Sequence, residues 1–187
     1  MTQQALSPAV IRAAALELVG EGGYTALSMR NLGARLGVKA ASLYYHVPNR
    51  AALLRLIADY VVVRAASSLG PADDWPAALT GLARSLRRTL SEHPGATVIV
   101  ATQDVSPEVW QPLVPPILSL MHATLEVTDE TALFLVQSLY VLVTGLALAE
   151  FGDAPEPPAA PPEFYDTWFD IAVATFLAGV AARYAPG

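Results

Sequence analysis

The chain has 187 residues, of which 53% are hydrophobic and 15% charged, so it is long enough for one or two folded domains and too apolar to be disordered. It contains no cysteine, which excludes disulfides, thiolate nucleophiles and thiolate metal sites. The net charge is −6, yet residues 1–55 carry +6 − 2 = +4, which leaves −10 for the remainder. A basic first third on an acidic body predicts a localised contact with a polyanion.

The first third of the chain predicts three helices in succession. A capping serine followed by proline, Ser7-Pro8, starts the first helix, and Gly22-Gly23 is expected to stop it. Ser28 is expected to cap a second, short helix that ends at Gly37. A third short helix is predicted over about residues 40–46, so three helices precede the larger part of the chain.

The remaining two thirds of the sequence are also predicted to be helical. Asn49 is expected to cap a long helix that runs to about residue 68. Only 97–101 alternates enough to suggest a short strand, and the proline-rich segment DAPEPPAAPPE (153–163) predicts a stiff loop. Further helices are predicted over about residues 73–92, 95–103, 107–123, 129–151 and 163–184.

Residues 131–149, TALFLVQSLYVLVTGLALA, form an uncharged run of the length that spans a membrane. However, polar residues interrupt the run, no basic cluster flanks it, and acidic residues stand at both of its ends. A helix that is apolar all round also occurs in a protein core or a subunit interface. We therefore expect an interface helix and no membrane association. The N-terminus shows no secretion signal, which predicts a cytoplasmic protein.

Residues 28–46 have the spacing of a helix-turn-helix. Gly33 is expected to let the two short helices approach closely, and Gly37 to provide the turn. At 100° per residue the second helix has an apolar side and an opposite, outward side. The inner side and the space between the helices are assigned to Leu32, Leu36, Val38, Leu43 and Val47. The outward side is assigned to Ala40, Ala41, Tyr44 and Tyr45.

The outward side has the chemistry of a DNA reader. A recognition helix in the major groove reads bases through residues near its N-terminal end, where Lys39 stands. Alanine permits close approach to a thymine methyl, and a tyrosine hydroxyl reaches phosphates or base edges. Arg30 has the donors for a bidentate contact with guanine or phosphate.

The stretch ALSMRNLGARLGVKAASLYYHVPNRAALL resembles the DNA-binding region of TetR-family transcriptional repressors. In that family an N-terminal three-helix domain ends in the pattern LYYH(V/F)xxKxxLL, matched here by residues 43–47, Arg50 and Leu53-Leu54. The resemblance implies phosphate contacts by Ser42, Tyr45, His46 and Arg50. It implies base contacts by Arg30, Ala40, Ala41 and Tyr44. Since two alanines replace frequent polar base readers, hydrogen-bond specificity is expected to rest on Arg30, Lys39 and Tyr44.

The rest of the chain is weakly similar to the tetracycline-repressor subgroup, through HPGATVIVAT (93–102) and VTGLALAE (143–150). The resemblance implies a magnesium-coordinating histidine where this chain has Ile99. Glu150 matches an acidic residue of that site, but one carboxylate is a poor cation site. We therefore expect no metal, no cofactor and no response to tetracycline–magnesium.

No enzymatic constellation is found. The sequence has no phosphate-binding glycine loop and no Gly-x-Ser-x-Gly elbow. His46 has no second ligand or base nearby, and His122 with Glu126 lacks a third metal ligand. The prediction is a protein that is not an enzyme.

The predicted fold is all-α, with a helix-turn-helix DNA-binding domain at residues 1–50 and a helical ligand-binding and dimerisation domain at 51–187. The resemblance implies a homodimeric repressor that binds a palindromic double-stranded operator and is released by a small molecule. Two alternatives remain: a transcriptional activator, or a helical small-molecule sensor or carrier without DNA binding.

The C-terminal part is expected to hold a small hydrophobic effector in an apolar cavity with a few polar anchors. The residues predicted to line it are Thr102, Gln103, Trp110, Phe134, Gln137, Tyr140 and Thr144. The dimer is expected to be a four-helix bundle of the last two helices and their mates. Its contacts are assigned to Leu135, Leu139, Leu142, Leu146, Phe169, Val173, Phe176 and Val180.

Overall fold

The computed structural model describes residues 5–152 and 160–186, and this part of the chain is helical and contains no strand. The helices are α1 (Pro8–Ala26), α2 (Met29–Leu36), α3 (Ala40–Leu43), α4 (Arg50–Ala66), α5 (Trp75–Glu92), α6 (Thr97–Thr102), α7 (Pro107–Trp110), α8 (Val114–His122), α9 (Asp129–Phe151) and α10 (Pro162–Tyr184). A short 3-10 helix, Pro94–Ala96, leads into α6. The predicted all-α fold is confirmed. Most of the proline-rich segment predicted as a loop lies outside the described residues.

Side-chain capping explains where five of the helices begin. In each, the side-chain oxygen of the residue before the helix accepts the backbone N–H three positions later, which satisfies a donor that the helix itself leaves free. The five capping residues are Ser7, Ser28, Asn49, Asp74 and Thr128. The predicted starts of α1, α2 and α4 are confirmed.

Three predicted elements differ in detail. Gly22 and Gly23 interrupt the helical geometry of α1 but do not end it, because one further turn follows to Ala26. The helix predicted over 107–123 is two helices, since Pro112 removes a backbone donor between α7 and α8. Residues 97–101 are helical and not a strand, since a short apolar run does not by itself distinguish a buried helix from a strand.

The body of the protein is built around α5 and α9. Helix α5 contacts α4, α8 and α9, and α9 also contacts α6 and α10. Buried Ser85 of α5 donates to the carbonyl oxygen of Ala65 at 2.7 Å, so a satisfied polar contact ties α4 to the core. Because α4 contacts both α1 and α5, it connects the N-terminal helices to the body.

The N-terminal helices also meet the body at a close backbone contact. A Cβ atom on Gly95 would lie 2.1 Å from the carbonyl oxygen of Val19 in α1. Only glycine therefore fits where the 3-10 helix passes α1. Together with α4, this contact holds the N-terminal domain against the body at a second point.

Helix α9 is long and apolar enough to cross a membrane by length and composition. One side of it is nevertheless buried against neighbouring helices, with Val136, Leu139 and Val143 almost fully covered. The opposite side exposes Phe134, Val141 and Leu148. Helix α9 is therefore a core helix with a second, uncovered apolar face.

Five of the eight residues predicted to form the subunit interface are packed inside a single chain, so the assignment of these five is wrong. Leu139, Leu146, Phe169, Val173 and Val180 are buried, while Leu135, Leu142 and Phe176 are partly buried against the same core. The uncovered side of α10 carries Phe164, Trp168 and Ile171 instead. Helical spacing identified the apolar faces of these helices, but it did not distinguish the face that packs inside the protomer from the face that remains exposed.

Candidate nucleic-acid interface and small-molecule cavity

The helix-turn-helix is compact because two glycines allow it. A Cβ atom on Gly33 would lie 2.9 Å from the carbonyl oxygen of Val38, so α2 and the start of α3 are in direct backbone contact. Gly37 ends α2 in the left-handed region, with φ of 66°, and its N–H donates to the carbonyl oxygen of Ala34. Leu32 and Leu43 fill the space between the helices and are fully buried.

The outward side of this unit carries the residues predicted to contact DNA. Helix α3 is shorter than predicted and ends at Leu43, and residues 44–46 continue as a turn. Tyr44 is 48% exposed and Tyr45 is 91% exposed, while Leu43 and Val47 are buried beneath them. The other predicted contacts divide into exposed residues (Arg30, Lys39, Ala41, His46 and Arg50) and half-buried ones (Ala40 and Ser42). The fold thus brings all nine predicted residues to the α2–α3–α4 region.

Two arginines of this domain have different partners. Arg35 pairs with Glu17 and Glu21 of α1, and its hydrogen bonds lower the pKa of the Glu21 carboxyl. Arg50 donates a hydrogen bond of 2.9 Å to the Tyr24 hydroxyl, and its guanidinium carbon lies 4.7 Å from the centre of the Tyr24 ring. Tyr24 was not among the predicted site residues, because nothing in the local sequence shows that it reaches α4.

A cavity of about 580 Å³ lies between the α4–α5 connection, α5 and α8. None of its fourteen lining residues is charged or aromatic. Ser119 provides the single side-chain hydroxyl among them, and it donates to the carbonyl oxygen of Pro115 in its own helix. The walls therefore offer apolar contacts and no free side-chain donor.

A second, much smaller cavity of about 10 Å³ adjoins the same helices and has room for about one water molecule. Trp110 and Tyr140 line it, with their ring centres 5.3 Å apart and nearly perpendicular. The lining of the small cavity includes Ala65 and Leu82, whose neighbours in sequence, Ala66 and Gly81, line the large one. The two cavities therefore lie on adjoining faces of α4 and α5.

Of the seven predicted ligand contacts, only Trp110 and Tyr140 line either of these two cavities. Phe134 and Gln137 are exposed on the outer side of α9. Three of the four side chains predicted as polar anchors, Thr102, Gln103 and Thr144, donate hydrogen bonds to nearby backbone oxygens, and Gln137 is the fourth. The structure does not bring the seven residues together, and the large cavity uses others.

The residues that match the magnesium site of the tetracycline-repressor subgroup do not form a cation site. Ile99 is fully buried and has no ligand atom. Glu150 is held by Arg87 in a bidentate contact of 2.8 and 2.7 Å, and Arg87 also pairs with Asp166. His122 pairs with Asp129 and not with Glu126. Within residues 5–152 and 160–186, no cluster of three or more His, Cys, Asp or Glu has metal-site geometry.

Two side chains attach the cavity region to neighbouring helices. Asp59 of α4 accepts hydrogen bonds of 2.7 Å from both the backbone N–H and the hydroxyl of Ser106, just before α7. Tyr140 of α9 donates to the carbonyl oxygen of Val100 in α6 at 3.0 Å, and burial raises the pKa of its hydroxyl. Asp59 was missed from the sequence because its partner is 47 residues away.

The comparisons with known proteins agree with this geometry. Residues 11–57 match the model of the family described as "Bacterial regulatory proteins, tetR family". The tetracycline repressor protein class A from transposon 1721 of Escherichia coli is 36% identical over 107 residues, which is 56% of this chain and 50% of that protein. The class C tetracycline repressor of Escherichia coli is 38% identical over 104 residues, 54% of this chain and 47% of that protein. The chain thus spans about half the length of these curated relatives.

Solved structures extend the similarity across nearly the whole fold. A TetR variant from Acinetobacter baumannii AYE, crystallised with minocycline, superposes with a TM-score of 0.84 at 26% identity, covering 97% of this chain and 100% of that one. A putative transcriptional regulator from Streptomyces coelicolor A3(2) gives a TM-score of 0.77 at 26% identity, covering 98% and 100%. Over residues 11–57 the chain therefore matches the tetR family of bacterial regulatory proteins, and its helix-turn-helix domain and all-α body have the fold of these TetR-family relatives.

Proposed function

We propose that the chain is a ligand-responsive repressor that binds a palindromic DNA operator as a homodimer. The observation that carries the proposal is the exposed face of the helix-turn-helix, where tyrosines and basic side chains stand over a fully buried Leu43. A sensor or carrier without DNA binding has no physical need for this face. Such a regulator works in the cytoplasm, where the operator is.

Side-chain chemistry determines which residues are proposed to contact bases and which to contact phosphates. Arg30, Lys39 and Tyr44 have donors that read base edges, and Ala40 and Ala41 allow α3 to approach the thymine methyl. The phosphate contacts come from Ser42, Tyr45, His46 and Arg50. Since phosphate contacts release counterions, operator affinity is expected to fall steeply with salt.

The proposed dimer uses the uncovered faces of α9 and α10. Nine large apolar or aromatic side chains are exposed in the described part of the chain, and six of them lie on these two helices. Exposed apolar surface of this kind is characteristic of subunit interfaces. Two helix-turn-helix units related by a two-fold axis reach successive major grooves when their centres are about 34–36 Å apart.

The large cavity is the proposed effector site, in place of the residues predicted from sequence. Its volume falls within the range of small-molecule pockets, and its uncharged walls suit a neutral, largely aliphatic ligand. Ala66 and Leu69, at the end of α4 and just beyond it, line the cavity, and Asn49 and Arg50 begin α4 beside the DNA-binding face. A ligand that favours one position of α4 therefore changes the distance between the two DNA-binding units.

The proposed response does not involve a metal. Glu150 is occupied by Arg87, and Ile99 has no lone pair to offer. The solved relative that binds minocycline shares the fold at 26% identity, but this similarity does not transfer its ligand.

Selection of duplexes from a random pool tests the repressor proposal. The purified protein is expected to enrich a palindrome with about one helical turn between half-site centres, and to bind it far more weakly as salt rises. Enrichment of no sequence would contradict the proposal. Operator release or tightening by a ligand then distinguishes an inducible repressor from a regulator that needs its ligand to bind DNA.

Filling the large cavity tests the effector site. Hexanol, octanol and decanol are expected to raise the thermal midpoint and weaken operator binding, and each methylene is expected to tighten binding by about fourfold. A Cβ atom on Gly81 would meet only the Leu69 side chain, at 3.8 Å, so Gly81→Leu places its side chain towards the cavity. This variant is expected to bind decanol at least about tenfold more weakly, which is about 1.4 kcal/mol.

Ser119→Ala is the matched control inside the same cavity. Because the Ser119 hydroxyl is bonded to its own helix, its removal is expected to leave alkanol binding unchanged. Unchanged decanol binding by Gly81→Leu would place the effector elsewhere, and a requirement for magnesium would contradict the metal-free site.

A further inference from the structure

We propose that Tyr24 is a positioning residue for DNA binding, which holds the Arg50 guanidinium in place for an operator phosphate. This inference rests on the proposed function, in which Arg50 contacts the DNA backbone. It assigns a role to a residue outside the helix-turn-helix, at the end of α1. Its basis is the geometry of the Tyr24–Arg50 pair.

Two contacts fix the guanidinium relative to the Tyr24 ring. The Arg50 Nη1 atom donates to the Tyr24 hydroxyl oxygen at 2.9 Å, and the guanidinium carbon lies 4.7 Å from the ring centre. A planar guanidinium stacks on an aromatic face and still presents donors at its edge, whereas a lysine ammonium is a point charge on a flexible stem. The arginine that replaces the lysine of the family pattern is thus the residue that this tyrosine can orient.

The break in α1 brings Tyr24 to this position. Gly23 has φ of 65°, in the left-handed region that residues other than glycine rarely adopt. The helical geometry of α1 is therefore interrupted just before Tyr24. Buried Leu27 then anchors the following residues in the core. The two glycines therefore change the direction of the chain, and the ring of Tyr24 lies against the first residue of α4.

The charges around Arg50 leave it available for an anion. In the described part of the chain no carboxylate forms an ion pair with Arg50, whereas Arg35 of the same domain is paired with Glu17 and Glu21. Arginine has five N–H donors, and the hydrogen bond to the Tyr24 hydroxyl uses one of them. Arg50 is also the first residue of α4, where the helix dipole favours a phosphate.

A double-substitution experiment tests the proposal, with Tyr24→Leu and Arg50→Lys measured alone and together on a duplex at several salt concentrations. Each single change is expected to weaken binding by about fivefold, because the cation is no longer held in place. The Arg50→Lys change is expected to have less than about a twofold effect when Tyr24→Leu is already present, since the two residues act together. Tyr24→Phe keeps the ring and is expected to lose less affinity than Tyr24→Leu.

The salt dependence separates positioning from charge. Tyr24→Leu and Arg50→Lys keep the cation, so the slope of log affinity against log salt is expected to stay the same. Arg50→Ala removes a phosphate contact and is expected to reduce the slope by about 0.9 for each protomer. Arg35→Ala is the control for loss of an arginine that faces carboxylates, and the slope is expected to remain unchanged.

The inference and the proposed function fail in different ways. Phosphate contacts do not require a particular sequence, so a duplex of arbitrary sequence tests Tyr24 even if selection finds no operator. Equal losses from Arg50→Lys with and without Tyr24→Leu would overturn the positioning role, as would a Tyr24→Phe variant that binds no better than Tyr24→Leu. Absence of binding to any duplex by the unsubstituted protein would overturn both proposals.

Discussion

Replacing Ile171 by aspartate is expected to convert the proposed dimer into a monomer and to abolish operator binding. Ile171 is 60% exposed in the isolated chain and lies on the uncovered face of α10. In a two-fold interface the substitution places two unpaired carboxylates in an apolar contact, at a cost of about 3–5 kcal/mol or more. Sedimentation at micromolar concentration and operator binding measure the two effects. Val141→Asp, on the matching face of α9, is expected to act in the same way.

Val63→Asp is the matched control for this experiment. Val63 is also exposed but lies on α4, which is not part of the proposed interface, so the variant is expected to remain a dimer. Val173→Asp serves as a contrast, because Val173 is buried within the protomer and the charge is expected to unfold it. A dimeric Ile171→Asp variant would contradict the proposed interface.

Replacing Tyr44 by alanine is expected to weaken binding to the selected operator much more than binding to an arbitrary duplex. Tyr44 is exposed on the outward side of the recognition segment, where we propose that its hydroxyl contacts base edges, and a good base contact contributes about 1–3 kcal/mol to discrimination. Fluorescence anisotropy with the two duplexes at one salt concentration gives the ratio of the affinities.

The neighbouring Tyr45→Ala and the Arg50→Ala variants are the comparisons. Both residues are proposed to contact phosphates, so their loss is expected to weaken binding to both duplexes by similar factors. A Tyr44→Ala variant that loses equal affinity for the two duplexes would remove Tyr44 from the set of base readers.

The helix-turn-helix could be predicted from the sequence because its determinants are local. Ser28 caps α2, Gly33 and Gly37 permit the close turn, Leu32 directly precedes Gly33, and Leu43 lies six residues after Gly37. Each of these determinants acts over a few residues, so the spacing of the residues in the sequence is sufficient to predict the motif. For the same reason the outward position of Tyr44 and Tyr45 could be predicted before the fold was known.

The large cavity that we propose as the effector site could not be predicted because its walls come from distant segments. The α4–α5 connection, α5 and α8 line the cavity, and its most telling property is the absence of charged and aromatic side chains. The predicted set favoured aromatic and hydroxyl-bearing residues. The threonine hydroxyls among them donate to backbone carbonyl oxygens one turn earlier in their own helices, as threonine hydroxyls in helices commonly do.

The sequence by itself determined the all-α class, the capped helix starts and the exposed face of the helix-turn-helix, since these depend on periodicity, capping and turn chemistry within short stretches. The tertiary structure decided which apolar face of α9 and α10 is left uncovered, because both faces have helical spacing and only packing against α5 and α6 distinguishes them. It also decided the contacts that join distant residues, Tyr24 with Arg50 and Asp59 with Ser106. Such contacts depend on how the helices are arranged in space, and no local pattern of residues encodes that arrangement.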